Sequence, residues 1–89
     1  MIMKFQLGAI CATPGVLALV QDVAEVMPAL TRHASGDWGD VDAEDAERNN
    51  AAIHDGTRIL SAYALNDQKI WIITEADRDS TTILLPEEY

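Results

Sequence analysis

The segment Arg32-His33-Ala34-Ser35-Gly36-Asp37-Trp38-Gly39-Asp40 brings a guanidinium, an imidazole, two carboxylates and an indole onto one glycine-hinged stretch. A histidine and an aspartate at this separation can orient one another as a general base, with the arginine holding an anionic group. On that reading His33, Asp37 and Arg32 form the catalytic set of a small hydrolase or nuclease. The same imidazole and carboxylates, joined by Asp40 and Asp42, also suit an oxygen and nitrogen metal site. The competing reading is structural. Trp38 then fills the core beneath the loop, Asp37 caps backbone N–H groups, and Arg32 and His33 make supporting hydrogen bonds. The His–Asp spacing is a weak signal alone, so the structural reading is preferred, with His33 and Asp37 expected close together and no metal or cofactor expected.

Overlapping this loop is a run of carboxylates: Asp37, Asp40, Asp42, Glu44, Asp45 and Glu47, with no basic residue until Arg48. A solvated helix N-terminus accounts for part of it, because the helix dipole favours negative charge there. It does not account for the whole chain, whose 15 acidic and 6 basic residues leave a net charge of −9. Nucleic-acid binding depends on Lys and Arg neutralising phosphates, so direct DNA or RNA binding is disfavoured. Closely spaced carboxylates on a rigid element can instead imitate a line of phosphates and enter a basic groove. These six residues are therefore the candidate partner-binding surface, and the expected partner is a host protein with a basic surface. An EF-hand calcium loop is disfavoured, since its alternation, its sixth-place glycine and its twelfth-place glutamate are missing.

The elements that position these residues follow from hydrophobic period. Lys4 to Ala12 alternates Phe5, Leu7, Ala9 and Cys11 on one face, which predicts a strand. Thr13-Pro14 supplies an N-cap and a proline at the first helical position. Val16, Leu19, Val20, Val23, Val26 and Met27 then recur at helical spacing, predicting a helix that Pro28 ends. Ser35 to Gly39 reads as a loop. Asp42 looks like the N-cap of a second, surface helix that stops at Gly56. Arg58–Leu65, Lys69–Glu75 and Thr81–Leu85 are three β-rich runs with short polar connectors, the pattern of antiparallel strands. The middle run is apolar on both faces and belongs at the centre of a sheet. Trp71, Tyr63 and Trp38 are expected inside, and Arg58 is expected to face Glu75 across the strands. Glu75, Asp77 and Arg78 read as turn chemistry.

Together these make a single α+β domain spanning 1–89, in the order β-α-α-β-β-β, with the amphipathic helix covering a C-terminal antiparallel sheet. Cys11 is the only cysteine, so neither an intramolecular disulfide nor a thiolate zinc cluster can form, and its apolar neighbours predict a buried thiol. No run approaches the roughly 18 apolar residues of a membrane span. The apolar N-terminal stretch is interrupted by Thr13-Pro14-Gly15, unlike a signal peptide. A cytoplasmic protein with no membrane partner is expected. Phosphate-binding, dinucleotide, nucleophile-elbow and zinc motifs are all missing from the sequence.

A resemblance adds a context. Ala12-Thr13-Pro14-Gly15, Arg32-His33-x-x-Gly36-Asp37-Trp38-Gly39, Leu60-Ser61-x-Tyr63, Trp71-Ile72-Ile73-Thr74-Glu75-Ala76-Asp77-Arg78 and Thr81-Thr82-x-Leu84-Leu85-Pro86-Glu87-Glu88-Tyr89 are similar to a family of small proteins usually labelled plasmid-related. Some of its members are mislabelled as a type I restriction subunit. The resemblance implies a home on plasmids, phages or integrative elements, and it brings no established activity. With the charge, it points to a non-enzymatic protein-binding module that inhibits or modulates a nucleic-acid-handling host defence system, of anti-restriction or anti-CRISPR type. A structural or regulatory homodimer, pairing through an exposed sheet edge, is the third reading.

Overall fold

Asn66 and Asp67 both adopt left-handed backbone, with φ of 49° and 65°. A two-residue turn with both central residues left-handed matches the natural twist of a strand pair. It joins β2 (Ile59–Leu65) to β3 (Gln68–Thr74) in antiparallel register, with Leu65 opposite Gln68 and Ile59 opposite Thr74. A second turn carries the chain into β4 (Ser80–Leu84), antiparallel to β3 with Trp71 opposite Leu84. In this turn the Asp77 side chain accepts from the Asp79 N–H, and Arg78 takes φ 60°. The three expected C-terminal strands are thus present. This computed structural model describes residues 2–89.

β1 is shorter than its alternation predicts, covering only Ala9–Ala12, and it pairs parallel with β4. The sheet is therefore mixed, in the order β1-β4-β3-β2. Gly8 is the cause. It sits at φ +65°, pressed against the backbone of Asp79 where a Cβ would collide. A left-handed residue ends the extended run, so Lys4–Leu7 leaves the sheet and the Lys4 N–H donates to the Ala34 carbonyl. Phe5 and Leu7 are buried as their pattern suggests, but Ala9 and Cys11 are exposed. The buried thiol expected at Cys11 is therefore corrected to an exposed one.

The long N-terminal helix is also corrected. Its stripe is divided between one turn of helix, α1 (Pro14–Leu17), a 3₁₀ turn at Val23–Val26, and α2 (Met27–Ala34). Local capping overrides the period. Asp22 accepts from the Ala24 N–H while Glu25 accepts from the N–H groups of Gln21 and Asp22, starting a new helical segment in mid-stripe. Pro28 lies in the first turn of α2, where its missing N–H is harmless, so it begins a helix rather than ending one. Val16 and Val26 reach the core, whereas Val23 and Met27 are 58% and 50% exposed. α3 (Ala43–Asp55) matches its expected limits, with Asp42 as N-cap and Gly56 left-handed at its end.

The core lies between the helices and the sheet face carrying Ile59, Tyr63, Ile70, Ile72 and Ile83, closed by Phe5, Val16, Leu30, Trp38 and Ala52. Trp71 points to the opposite face and is only half-buried, so its expected core position is corrected. It meets Tyr89 edge-on at 5.7 Å. Arg58 lies over the same Tyr89 ring at 5.4 Å and not against Glu75. Among the described residues, no helix is long and apolar enough to cross a membrane.

This packing sets the order of two substitutions. Ile72 has no exposed surface, and Ile72→Ala is expected to lower stability by about 2–5 kcal/mol. Trp71→Ala, at a half-open site, should remove less despite deleting more atoms. Chemical denaturation of the two variants checks this, and a larger loss at Trp71 would place the principal core on the other face.

Candidate functional site

The loop after α2 is clamped at four points. The Arg32 guanidinium grips Asp37 through two bonds, Nε to Oδ2 at 2.7 Å and Nη2 to Oδ1 at 3.2 Å, and lies 4.9 Å over the Tyr63 ring. The Tyr63 hydroxyl donates to the Asp37 carbonyl at 2.6 Å. Trp38 turns inward, stacking on Phe5 at 6.1 Å and donating from Nε1 to Asn50 at 2.9 Å. Finally the loop pairs with the free edge of β2. Ala62 N–H donates to the Trp38 carbonyl, and Asp40 N–H to the Ala62 carbonyl. Gly39, at φ +71°, sits so close to the Ala62 carbonyl and the Tyr63 ring that any Cβ would overlap them. The bidentate arginine holds the Asp37 carboxyl below its usual range and raises the Arg32 guanidinium in turn. Burial pushes the Tyr63 hydroxyl up to about 12.

The expected pairing of His33 with Asp37 is not what the fold builds. Asp37 is spent on Arg32 and the Gly39 N–H, while His33 is wholly buried and directed into the sheet. Its Nδ1 meets Ser61 Oγ at 2.6 Å and its Nε2 meets Thr74 Oγ1 at 2.8 Å. Thr74 continues to Thr81 Oγ1 at 2.7 Å, and Thr81 donates to the Leu7 carbonyl at 2.7 Å. The terminal carbonyl can only accept, and this fixes the protons as far as the imidazole. Thr81 donates to Leu7, so Thr74 must donate to Thr81 and His33 Nε2–H to Thr74. The state of Nδ1 is set by burial, which lowers the His33 pKa to about 4. The neutral ring is therefore the Nε2–H tautomer, and its Nδ1 accepts from Ser61. A general base so enclosed cannot reach a substrate, and of the expected trio Arg32 and Asp37 are paired with each other while His33 bonds to neither.

The six carboxylates of the 37–47 segment differ in what holds them. Asp37 belongs to the Arg32 clamp. Asp42 is the N-cap, accepting from the Asp45 N–H at 2.8 Å. Glu44 and Asp45 both reach Arg48, each at 3.2 Å. Asp40 and Glu47 are exposed and enter none of the ion pairs formed among the described residues. No cluster of metal-binding side chains occurs among the described residues.

Sequence reasoning passed over three features. Ser61, Thr74 and Thr81 were legible only as hydroxyls on the inward parity of otherwise apolar strands. Asn49 bonds both the N–H and the carbonyl of Leu60, imitating a neighbouring strand. Arg78 donates to the carbonyls of Ala52, Thr57 and Glu75, closing the C-terminal end of α3, where a cation is favoured.

The buried imidazole makes stability pH-dependent. The unfolded histidine has its ordinary value of 6.5, and the folded one is near 4. Between these values only the unfolded chain takes the proton, so stability falls as pH drops through that window and levels below it. The loss should be about 2 kcal/mol between pH 7 and pH 5. The lowered carboxyls of Glu25, Asp37 and Glu88 contribute only below their ordinary values of 3.8 to 4.5, outside most of this window. Urea denaturation across pH should show the slope in the wild type and a flat profile in His33→Gln. A slope surviving that substitution would assign the titration to another group.

The chain matches no protein-family model, no curated protein and no solved structure.

Proposed function

We propose that this protein is a non-enzymatic, acidic binding module that docks the 37–47 flank into a basic groove of a nucleic-acid-handling protein. The class of partner, a restriction or CRISPR component, follows from the resemblance to small plasmid-related proteins and from the net charge of −9. One observation supports this reading above the others: the carboxylates are carried on a pre-organised element. The Arg32 clamp, the Trp38 anchor and the pairing with Ala62 leave the loop little freedom to lose on binding. Exposed Asp40, Asp42, Glu44 and Glu47 then present negative charge from a fixed scaffold. Steering by such a surface raises the association rate. Arg48 neutralises part of the charge on the α3 side, so Asp40 and Glu47 are the residues expected to meet the partner's cations most directly.

The test is charge reversal that spares the fold. Asp42 is left alone because removing an N-cap costs about 1 kcal/mol. Asp40→Lys, Glu44→Lys and Glu47→Lys together should leave the melting temperature within a few degrees, since exposed charges contribute little to stability. Binding to a basic nucleic-acid-handling partner captured from a host lysate should weaken at least tenfold, mainly through slower association. Wild-type affinity should also fall as salt rises, with screening lengths near 8 Å at physiological ionic strength. Equal affinity of wild type and triple variant at low and high salt would discard the acidic-flank reading.

A further inference from the structure

We propose that β1 is a self-association edge, along which two copies of this chain pair antiparallel through Ala9–Ala12 and join their sheets into one of eight strands. The two edges of the sheet are treated very differently. On β2 every outward backbone group of Leu60 and Ala62 is occupied, by the Asn49 amide and by the Trp38–Asp40 loop. Among the described residues, no side chain or loop pairs with β1 in this way. Ala9 and Thr13 direct their N–H groups to the Asp79 and Ile83 carbonyls, both at 3.0 Å. By alternation, the N–H and C=O groups of Ile10 and Ala12 point away from the sheet. Shortness is the one edge defence β1 has: its four residues hold no lysine, no proline and no inward charge.

Charge selects a second copy as the occupant. The chain carries 21 charged residues, yet none falls between Lys4 and Asp22, the longest uncharged stretch it has. Two molecules of charge −9 repel wherever their carboxylates meet. The β1 flank, with Ile10 51% and Leu17 46% exposed, is where they can approach without setting carboxylate against carboxylate along the strands. The nearest acids lie at its ends. Asp79 is beside Ala9, and Glu88 is held by the Thr13 hydroxyl and the Gly15 N–H. An isologous pairing also satisfies identical groups on both copies. Matching Ile10 to Ala12 of the second copy makes two doubly bonded pairs about a two-fold axis. Cys11 then faces Cys11 of the other copy as the non-hydrogen-bonded pair, with Cα atoms about 4.5 Å apart, inside the range a disulfide spans.

The experiment uses the full chain in sedimentation equilibrium and in diamide cross-linking. Wild type should show a reversible monomer–dimer equilibrium that tightens as salt rises, because salt screens the mutual repulsion. That sign is opposite to the one expected for docking on a basic partner. Ile10→Lys should weaken the dimer at least tenfold without lowering the melting temperature of the monomer. Cys11→Lys, at an exposed position, supplies the same disruption independently should Ile10→Lys fail to fold. Diamide should convert native wild type to a disulfide-linked dimer, and Cys11→Ser should keep the non-covalent dimer while losing the cross-link. A chain that stays monomeric up to about 1 mM, a dimer indifferent to Ile10→Lys and Cys11→Lys, or cross-linking confined to denatured protein would each overturn the proposal.

Discussion

One line of buried hydrogen bonds holds the domain's separate pieces to each other: Ser61, His33, Thr74, Thr81 and the Leu7 carbonyl. It crosses from β2 through α2 to β3 and β4 and ends on the segment before β1, so five parts of the chain meet in it. Each member is fully buried or ends on a buried residue. A polar group left unpaired there would cost about 1–3 kcal/mol, a large fraction of what so small a domain has. The line has a direction, since a carbonyl closes one end, and that direction puts a proton on His33 Nε2, while burial keeps the ring neutral. Specificity is the return. An apolar core would accept α2 at several rotations, whereas a ring that must meet Ser61 and Thr74 together accepts one. Among the described residues no buried side-chain polar atom is left without a partner.

From that fixed helix the acidic loop inherits its position. α2 ends with Arg32 and His33 adjacent, the first turned out to Asp37 and the second turned in to the sheet. The loop between them and α3 is thus tied to the core below and to the edge of β2 beside it. Gly39 permits the close approach to Ala62 that makes the edge pairing possible. The carboxylates owe their rigidity to neutral contacts, because the one ion pair inside the loop is half exposed and contributes little alone.

The asymmetry of the sheet has the same origin. β2 is covered because α3 and the loop leading to it must run along it, and Asn49 supplies the amide that fills the remaining gap. β1 forms the opposite edge beside β4, as a short parallel strand, and no further strand pairs with it among the described residues. An uncharged edge and a charged flank therefore lie at opposite sides of one sheet.

The sequence by itself determined the elements whose signals are local. Asn66-Asp67 dictates a tight hairpin, Asp42 and Gly56 bracket α3, and the period-2 runs become β2, β3 and β4, because turn and cap chemistry acts within a few residues. The expectation that so small a core needs its aromatics inside holds for Trp38, which anchors its loop, but not for Trp71, which the strand's alternation turns to the opposite face. Only the tertiary structure decided where local signals conflicted or where partners were distant in sequence. The apolar stripe of residues 16–27 fits one helix, but the Asp22–Glu25 caps and the permissive placement of Pro28 divide it. Gly8 turns the chain out of extension through its left-handed backbone, and the backbone of Asp79, far along the sequence, leaves no room for a side chain at that position. His33 looked toward Asp37 four residues away, yet its partners came from residues 61 and 74. An exposed arginine satisfies a carboxylate readily, and a buried imidazole is satisfied best by hydroxyls that fold in with it.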